Sequence, residues 1–338
     1  MALTQVRLTP KAARKLIFGA LTGAGTLARN AGYFTDAILD TELSGMEGHG
    51  FYWLQYYCEH VRSGKVDGRA TPHVKRLSPV AFRVDARRGF AHPAIEKGFA
   101  KLIPAARKSG IAGMAVHNSY NAATLGYHTG YLARHGLVAF GFTNSSPSIA
   151  PVGGRKPVIG TNPLSFAVPG KAGQIAFLID QSASVVARTA VKVAADEGRS
   201  IPLGWAFDAD GKPTTDPVRG LEGSMAPAGG YKGFGIGLIV EVMCAALAGA
   251  KRGPEMGSFM ANDGKPIGCG QFFIALEPKA FSGGAYAKQI AALAKSITSQ
   301  EGARLPNARR AANQKRLSKA GLPIDGALYE KLKSFAES

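Results

Sequence analysis

Five short apolar runs, bounded largely by glycine and proline, constrain this chain more than any other feature. They are VAFRVD (80–85), GIAGMAV (110–116), LVAFGFTN (137–144), LSFAVP (164–169) and IAFLID (175–180). Runs of this length and composition read as buried or half-buried strands. A sixth, FFIALEP (272–278), follows almost a hundred residues downstream. Helical stretches, Ala94 to Lys108 and Thr124 to His135, lie between some of them, so the fold class is α/β with strands and helices sharing one architecture.

The first seventy-odd residues read as helices. Thr9-Pro10 supplies an N-cap and a proline at the first helical position, and Ala12, Ala13, Leu16 and Ile17 then recur at helical spacing. Further helices are expected from about Tyr33 to Ser44 and from Phe51 to Arg62, the latter ended by the Ser63–Gly68 turn. Lys11, Arg14 and Lys15 ahead of an apolar run give the start the outline of a secretory leader. Gly and Thr dilute that run, however, and Arg29 follows with no clear small-residue cleavage site, so a first helix is the better reading. Downstream, GWAFDADGKPTTDP (204–217) is turn-rich. GFGIGLIVEVMCAALAGA (233–250), interrupted by Glu241, is expected to be a buried helix and not a membrane span. Gly284 to Thr298 reads as a helix, and Leu322 to Glu337 as a short one, peripheral or packed on another subunit.

With 338 residues, 46% of them hydrophobic, the chain can bury a substantial core in one large domain or two. Cys58, Cys244 and Cys269 form no C-x-x-C and leave an odd count, which reads as reduced thiols in a cytoplasmic protein. The net charge of +18 attracts polyanions. The basic residues are nevertheless scattered. Only ARRG (86–89) and RLPNARRAANQKR (304–316) cluster, and no aromatic-interleaved basic motif accompanies them. A pocket for phosphates and a small anionic substrate accounts for the excess as well as nucleic acid does, and no nucleic-acid partner is expected.

The motif catalogue excludes more than it assigns. Gly233-Phe234-Gly235-Ile236-Gly237 follows a loop where the dinucleotide fingerprint requires a strand, and its third glycine is misplaced. There is no Walker A loop, no H-E-x-x-H and no G-x-S-x-G, and no metal site is expected. Glu47-Gly48-His49-Gly50 sets an imidazole between glycines just before an aromatic helix. Such a His can exchange a proton near neutral pH, or can simply occupy a turn. The Pro- and Gly-dense segment from Pro147 to Pro163 reads as a site-shaping loop or a surface crossover. Asn118 to Asn121 follow a strand and open a helix, where amides meet a phosphate or merely cap. Arg304, Arg309 and Arg310 make a phosphate clamp or a basic surface turn.

Taken in order, EGHGFYWLQYYCEHVRSGKVDG, GRKPVIGTNPLSFAVP, IAFLIDQSASVVAR, GWAFDADGKPTTDP and GGYKGFGIGLIVEVM resemble the malate/L-lactate dehydrogenase family over nearly the whole chain. That family includes sulfolactate, ureidoglycolate and diketogulonate oxidoreductases and the Δ1-piperideine-2-carboxylate and Δ1-pyrroline-2-carboxylate reductases. The resemblance implies a non-Rossmann NAD(P)-binding fold, with a mostly antiparallel sheet flanked by helices. It also implies a helical domain built from both chain ends (1–75, completed by 285–338) beside a sheet-containing domain (76–284), and a homodimer. It implies NADP or NAD as cofactor, with the arginine cluster favouring NADPH. By position, His49 matches the proton donor, and Thr161, Arg188 and the residue at 53 match substrate contacts. Asn121, Ala122, Ala123, Thr124 and Leu125 match cofactor-lining positions, as do Ile179, Asp180, Gln181, Tyr231, Lys232, Arg304, Pro306, Arg309 and Arg310. The chain departs from the pattern at several points. Gly48 replaces the serine before the histidine, Trp53 the arginine that holds the substrate carboxylate, Asn121-Ala122 a His-Phe pair, and Thr189 a glycine; an acidic residue just beyond is missing. The implied activity is interconversion of a small 2-hydroxy acid and its 2-oxo acid. The alternatives are reduction of a cyclic ketimine, a family member without turnover, and a basic nucleic-acid-binding protein.

Overall fold

The architecture comes from a computed structural model, which describes residues 5–171 and 173–338; the Glu47 side chain lies outside the described residues. At its centre is a seven-stranded sheet. Its spatial order is His73–Ser78, Ala81–Asp85, Ile111–Ser119, Cys269–Leu276, Val138–Thr143, Leu164–Pro169 and Ile175–Gln181. Ala81–Asp85 and Ile111–Ser119 run parallel, and every other neighbouring pair is antiparallel. Parallel strands cannot be joined by a tight hairpin. The connection here is the 19-residue helix Ala91–Ser109, which packs on the sheet. The mostly antiparallel sheet with flanking helices is therefore the one the resemblance implied.

All six apolar runs form strands. The seventh strand, His73–Ser78, had no apolar signature, because it lies at the sheet edge with most of its residues exposed. The central strand of the sheet is the last of its seven in sequence. Cys269–Leu276 enters between Ile111–Ser119 and Val138–Thr143, with Phe273 opposite Met114 on one side and Gly141 on the other.

The helical layer holds Pro10–Gly23, Ala28–Leu43 and Phe51–Arg62 from one end of the chain, and Ala308–Ala320 and Gly326–Ala336 from the other. Thr9 caps the first helix as expected, its hydroxyl accepting from the Ala12 amide at 3.2 Å. Ala13, Ile17, Ala20 and Leu21 form that helix's buried face. The tail differs from its sequence reading. Leu322–Asp325 is a strand, paired antiparallel with Gln5–Leu8, and only then does helix Gly326–Ala336 begin. That helix is not peripheral: Leu332 and Phe335 are buried in the same core as Ile17 and Leu21. A four-residue strand whose partner lies some three hundred positions away leaves no local pattern to read.

The 233–250 segment also departs from expectation. It folds as helix Tyr231–Glu241 followed by a π-helical stretch, Val242–Leu247. One side is not buried, with Leu238, Ile239, Val242 and Leu247 at 46%, 55%, 47% and 60% exposure. A helix apolar on every face gives no sequence cue as to which face is covered. Among the described residues no helix is long and apolar enough to cross a membrane.

The two chain ends meet closely at Gly23, where a Cβ would sit 1.9 Å from the Phe335 carbonyl oxygen. Gly23→Ala must therefore push the last helix off the first. The expected loss is about 1–3 kcal/mol, the usual range for overpacking, read as a lower urea midpoint. An unchanged midpoint would show that the contact is not tight.

Candidate active site

A cleft of about 730 Å³ lies between the helical layer and the sheet, within the size range that encloses a small organic ligand. His49, Trp53, Asn121, Ala122, Ala123, Thr161 and Arg188 line it, so seven expected site residues from four separate segments share one wall system.

His49 closes the short 3₁₀ turn Glu47–His49, directly before helix Phe51–Arg62. Gly50 between them cannot be larger, since its Cβ would lie 1.9 Å from Glu42 Oε1; that carboxylate accepts the Phe51 amide. Burial lowers the proton affinity of His49, the Asp180 carboxylate opposes this, and the Arg310 guanidinium adds to the lowering. Asp180 and Arg310 are themselves an ion pair at 3.0 Å. The neutral imidazole is thus favoured; it can take up a proton from a hydroxyl, and the imidazolium so formed is an acid able to give that proton back.

Thr161 sits on a tightly held loop. Its neighbour Asn162 is buried with φ of 37°; its Nδ2 donates to the Gly237 carbonyl at 2.9 Å and to Glu241 Oε2 at 2.8 Å. Asn162 Oδ1 accepts the Ser145 amide at 3.1 Å, and Ser145 Oγ lies 3.4 Å from Thr161 Oγ1. Gly160 has no room for a side chain, since a Cβ would lie 2.2 Å from Ser145 Oγ. Glu241, the one charge in the apolar 233–250 run, is the buried acceptor that this loop requires.

Arg188 opens helix Arg188–Asp196 and is half-buried, with Nη2 donating to the Leu221 carbonyl at 2.9 Å. It has no acidic partner among the described residues. Burial lowers its proton affinity, as expected for a cation held out of water without a counter-ion. Lys192, one turn further along the same wall, is instead paired with Asp196, which also accepts the Tyr52 hydroxyl at 3.0 Å.

The segment Met256–Met260 supplies the opposite wall and was missed by sequence reasoning, because it belongs to no strand, helix or motif. Phe259 packs edge-on against Trp53, with ring centroids 4.9 Å apart, and against Tyr57 at 6.1 Å. Lys65 anchors the segment. Its buried ammonium donates to the Ala261 carbonyl at 2.7 Å and Asp263 Oδ1 at 3.0 Å.

The remaining expected residues lie elsewhere. Thr124 and Arg310 line a small cavity of about 30 Å³ with Asp40 and Gln314. Leu125 is buried at the start of its helix, and Ile179, Asp180 and Gln181 end an edge strand. Tyr231, Lys232, Arg304, Pro306 and Arg309 are exposed and line neither cavity. Residues 118–121 do not open a helix. That helix is Leu125–Arg134; Asn118 has φ of 48° and donates to Asp85, and the buried Tyr120 hydroxyl meets His60 Nδ1. The amides of 118–121 therefore lack a helix dipole behind them.

The family model described as malate/L-lactate dehydrogenase matches residues 8–333. The (2R)-3-sulfolactate dehydrogenase (NADP(+)) of Chromohalobacter salexigens is 39% identical over 326 residues, covering 96% of this chain and 97% of that protein. A Δ1-pyrroline-2-carboxylate reductase of Ancylobacter novellus is 36% identical over 335 residues, covering 97% of each. The crystal structure of Δ1-piperideine-2-carboxylate reductase from Pseudomonas syringae pv. tomato superposes with a TM-score of 0.92 at 30% identity, covering 98% of this chain and 99% of that one.

Three other histidines near the cleft are held neutral by burial. It pushes His60 and His128 down to about 4 and holds His92 well below the ordinary histidine range, with the neighbouring Lys65 adding to the effect on His60. Neither ring nitrogen of His92 has a hydrogen-bond partner among the described residues. The unfolded chain protonates His60 and His128 near 6.5, the folded one only near 4. Their contribution is therefore intact above pH 6.5 and is lost as pH falls towards 4, by up to about 1.4 kcal/mol per pH unit per histidine. Urea midpoints are expected to fall already between about pH 6.5 and 5, above the range where most carboxylates titrate. A flat profile there would contradict the burial of these rings.

Proposed function

The chain belongs to the malate/L-lactate dehydrogenase family, and on that premise we propose that it interconverts a small 2-hydroxy acid and its 2-oxo acid with His49 as acid/base. The observation that carries this reading is the convergence of His49, Thr161 and Arg188 on one cleft from distant parts of the chain. In the reducing direction, 2-oxo acid, reduced nicotinamide and a proton give 2-hydroxy acid and oxidised nicotinamide. His49 delivers the proton to the carbonyl oxygen, and in reverse takes it from the hydroxyl. Arg188 receives the substrate carboxylate, the role left vacant by Trp53, and Thr161 hydrogen-bonds beside it.

NAD(P) supplies the hydride when bound. The donor set suits a dinucleotide. Gly229 and Gly230 both have positive φ and open space around Cα, so a phosphate can approach the N-terminal amides of helix Tyr231–Glu241 that follow them. Lys232, Arg304 and Arg309 are exposed cations with no acidic partner among the described residues. The same donor set, and the NADP(+) in the name of the 39%-identical relative, favour NADPH. Asn121, Ala122, Ala123, Thr124 and Leu125 and the strand end at Ile179, Asp180 and Gln181 would flank the nicotinamide half; Tyr231, Pro306 and Arg310 complete that assignment.

A second reading, reduction of a cyclic ketimine with His49 protonating nitrogen, is favoured by the apolar wall at Trp53 and by the reductases among the relatives. We also propose the two-domain division at residues 75 and 285, a homodimer, and a cytoplasmic location, the last supported by three unpaired, buried cysteines. The dimer would cover the exposed Leu238, Ile239, Val242 and Leu247 stripe.

Nicotinamide absorbance with NADPH and NADH, against a panel of 2-oxo acids and cyclic imines, tests the activity. His49→Ala is expected to lose about 10²- to 10⁴-fold in kcat while still binding NADPH; an unchanged rate would remove His49 from the chemistry. Sedimentation is expected to give a dimer that Ile239→Glu splits, and a monomeric parent protein would exclude it.

A further inference from the structure

Resting on the dehydrogenase reading, we propose that the cleft selects monoanionic 2-oxo acids with a bulky aromatic substituent, which Trp53, Tyr57 and Phe259 hold while Arg188 takes the carboxylate. Trp53 and Tyr57 are four residues apart on the helix that begins just after His49, so one helical face carries both rings into the cleft. Trp53 is only 8% exposed, its ring already packed edge-on against Phe259 at 4.9 Å. Edge-to-face packing is the geometry in which a further ring is accepted at little strain. Met256 and Met260 flank Phe259 on the same wall, and thioether side chains adapt to the outline of a bulky group.

Charge sharpens the selection. The cations lining the cleft are Arg188 and Lys192, and Lys192 is paired with Asp196. Arg188 is thus the lining cation without an acidic partner among the described residues, and it can neutralise one carboxylate. A second carboxylate or a sulfonate carried on the substituent, where the aryl group would sit, would meet Trp53 and Phe259 with no unpaired cation among the described lining residues. An unpaired charge in apolar surroundings is strongly disfavoured, whereas an aryl group there gains from burial. The wall is also fixed in place, because Lys65 holds Ala261 and Asp263 just beyond Phe259.

The test compares 3-phenylpyruvate (aromatic, one charge), pyruvate (small, one charge) and oxaloacetate (two charges) by kcat/KM with NADPH. The expected order is phenylpyruvate over pyruvate by at least tenfold, with oxaloacetate lowest. Phe259→Ala and Trp53→Ala are each expected to reduce the phenylpyruvate-to-pyruvate ratio at least tenfold, with NADPH binding by fluorescence as the check on folding. Trp53→Arg is expected to raise oxaloacetate relative to phenylpyruvate. Equal or greater efficiency with pyruvate, or a ratio unmoved in Phe259→Ala, overturns this inference alone, whereas turnover confined to cyclic imines overturns it together with the 2-oxo acid reading in favour of ketimine reduction. An absence of turnover with every 2-oxo acid and imine overturns the dehydrogenase reading and this inference with it.

Discussion

One buried carboxylate organises the cleft. Glu241 accepts Asn162 Nδ2 at one oxygen and the Gly253 amide at 2.7 Å at the other. The first bond holds the loop that presents Thr161, and the second holds the turn from which the Met256–Met260 wall departs. The polar and apolar sides of the site, nearly a hundred residues apart in sequence, are thus registered through a single side chain. A charged acceptor so far from water is tolerated because the hydrogen bonds it receives are charge-assisted and stronger than neutral ones. Removing it would leave buried donors unsatisfied on both sides, and the penalty falls on exactly the two segments that shape the substrate space.

The electrostatics of His49 follow from a similar economy of partners. An aspartate near an imidazole would ordinarily hold it protonated. Here Asp180 is paired with Arg310, so their fields largely offset each other at His49 and burial decides the balance. The family resemblance implied cofactor-lining roles for Asp180 and Arg310, and it carried no sign that the two bond to each other. The pair gives a physical link between the strand end and the C-terminal helical segment that would flank a dinucleotide. Groups drawn to either member on binding change the field at the proton-carrying ring.

The sequence was most legible where structure is local. Thr9-Pro10 stated a helix start that depends on one side chain and one ring, and the apolar runs stated strands that are buried where they stand. His49, Thr161 and Arg188 were found because each sits in a distinctive segment, although only the fold shows that the three share a cleft. What stayed hidden depends on distant partners. Gln5–Leu8 and Leu322–Asp325 are strands only because each has the other. The free face of the 231–247 helical segment is invisible in a sequence that is apolar all round. Phe259 looked like an ordinary loop residue until it was seen against Trp53.

That last contact changes how the substitution at position 53 is understood. Losing a guanidinium from a carboxylate site would by itself leave an unfilled role. Two compensations accompany the loss: Arg188 stands half-buried without a counter-ion, and Phe259 covers the tryptophan that arrived. On the proposed reading, charge recognition would shift from the helix after His49 to the start of helix Arg188–Asp196, and position 53 would form part of an aromatic wall. On that reading the half-buried guanidinium of Arg188, hydrogen-bonded to the Leu221 carbonyl but without an acidic partner among the described residues, is costly until an anion comes to it. The site would then be one re-specified for a different substituent, with His49 kept as its acid/base.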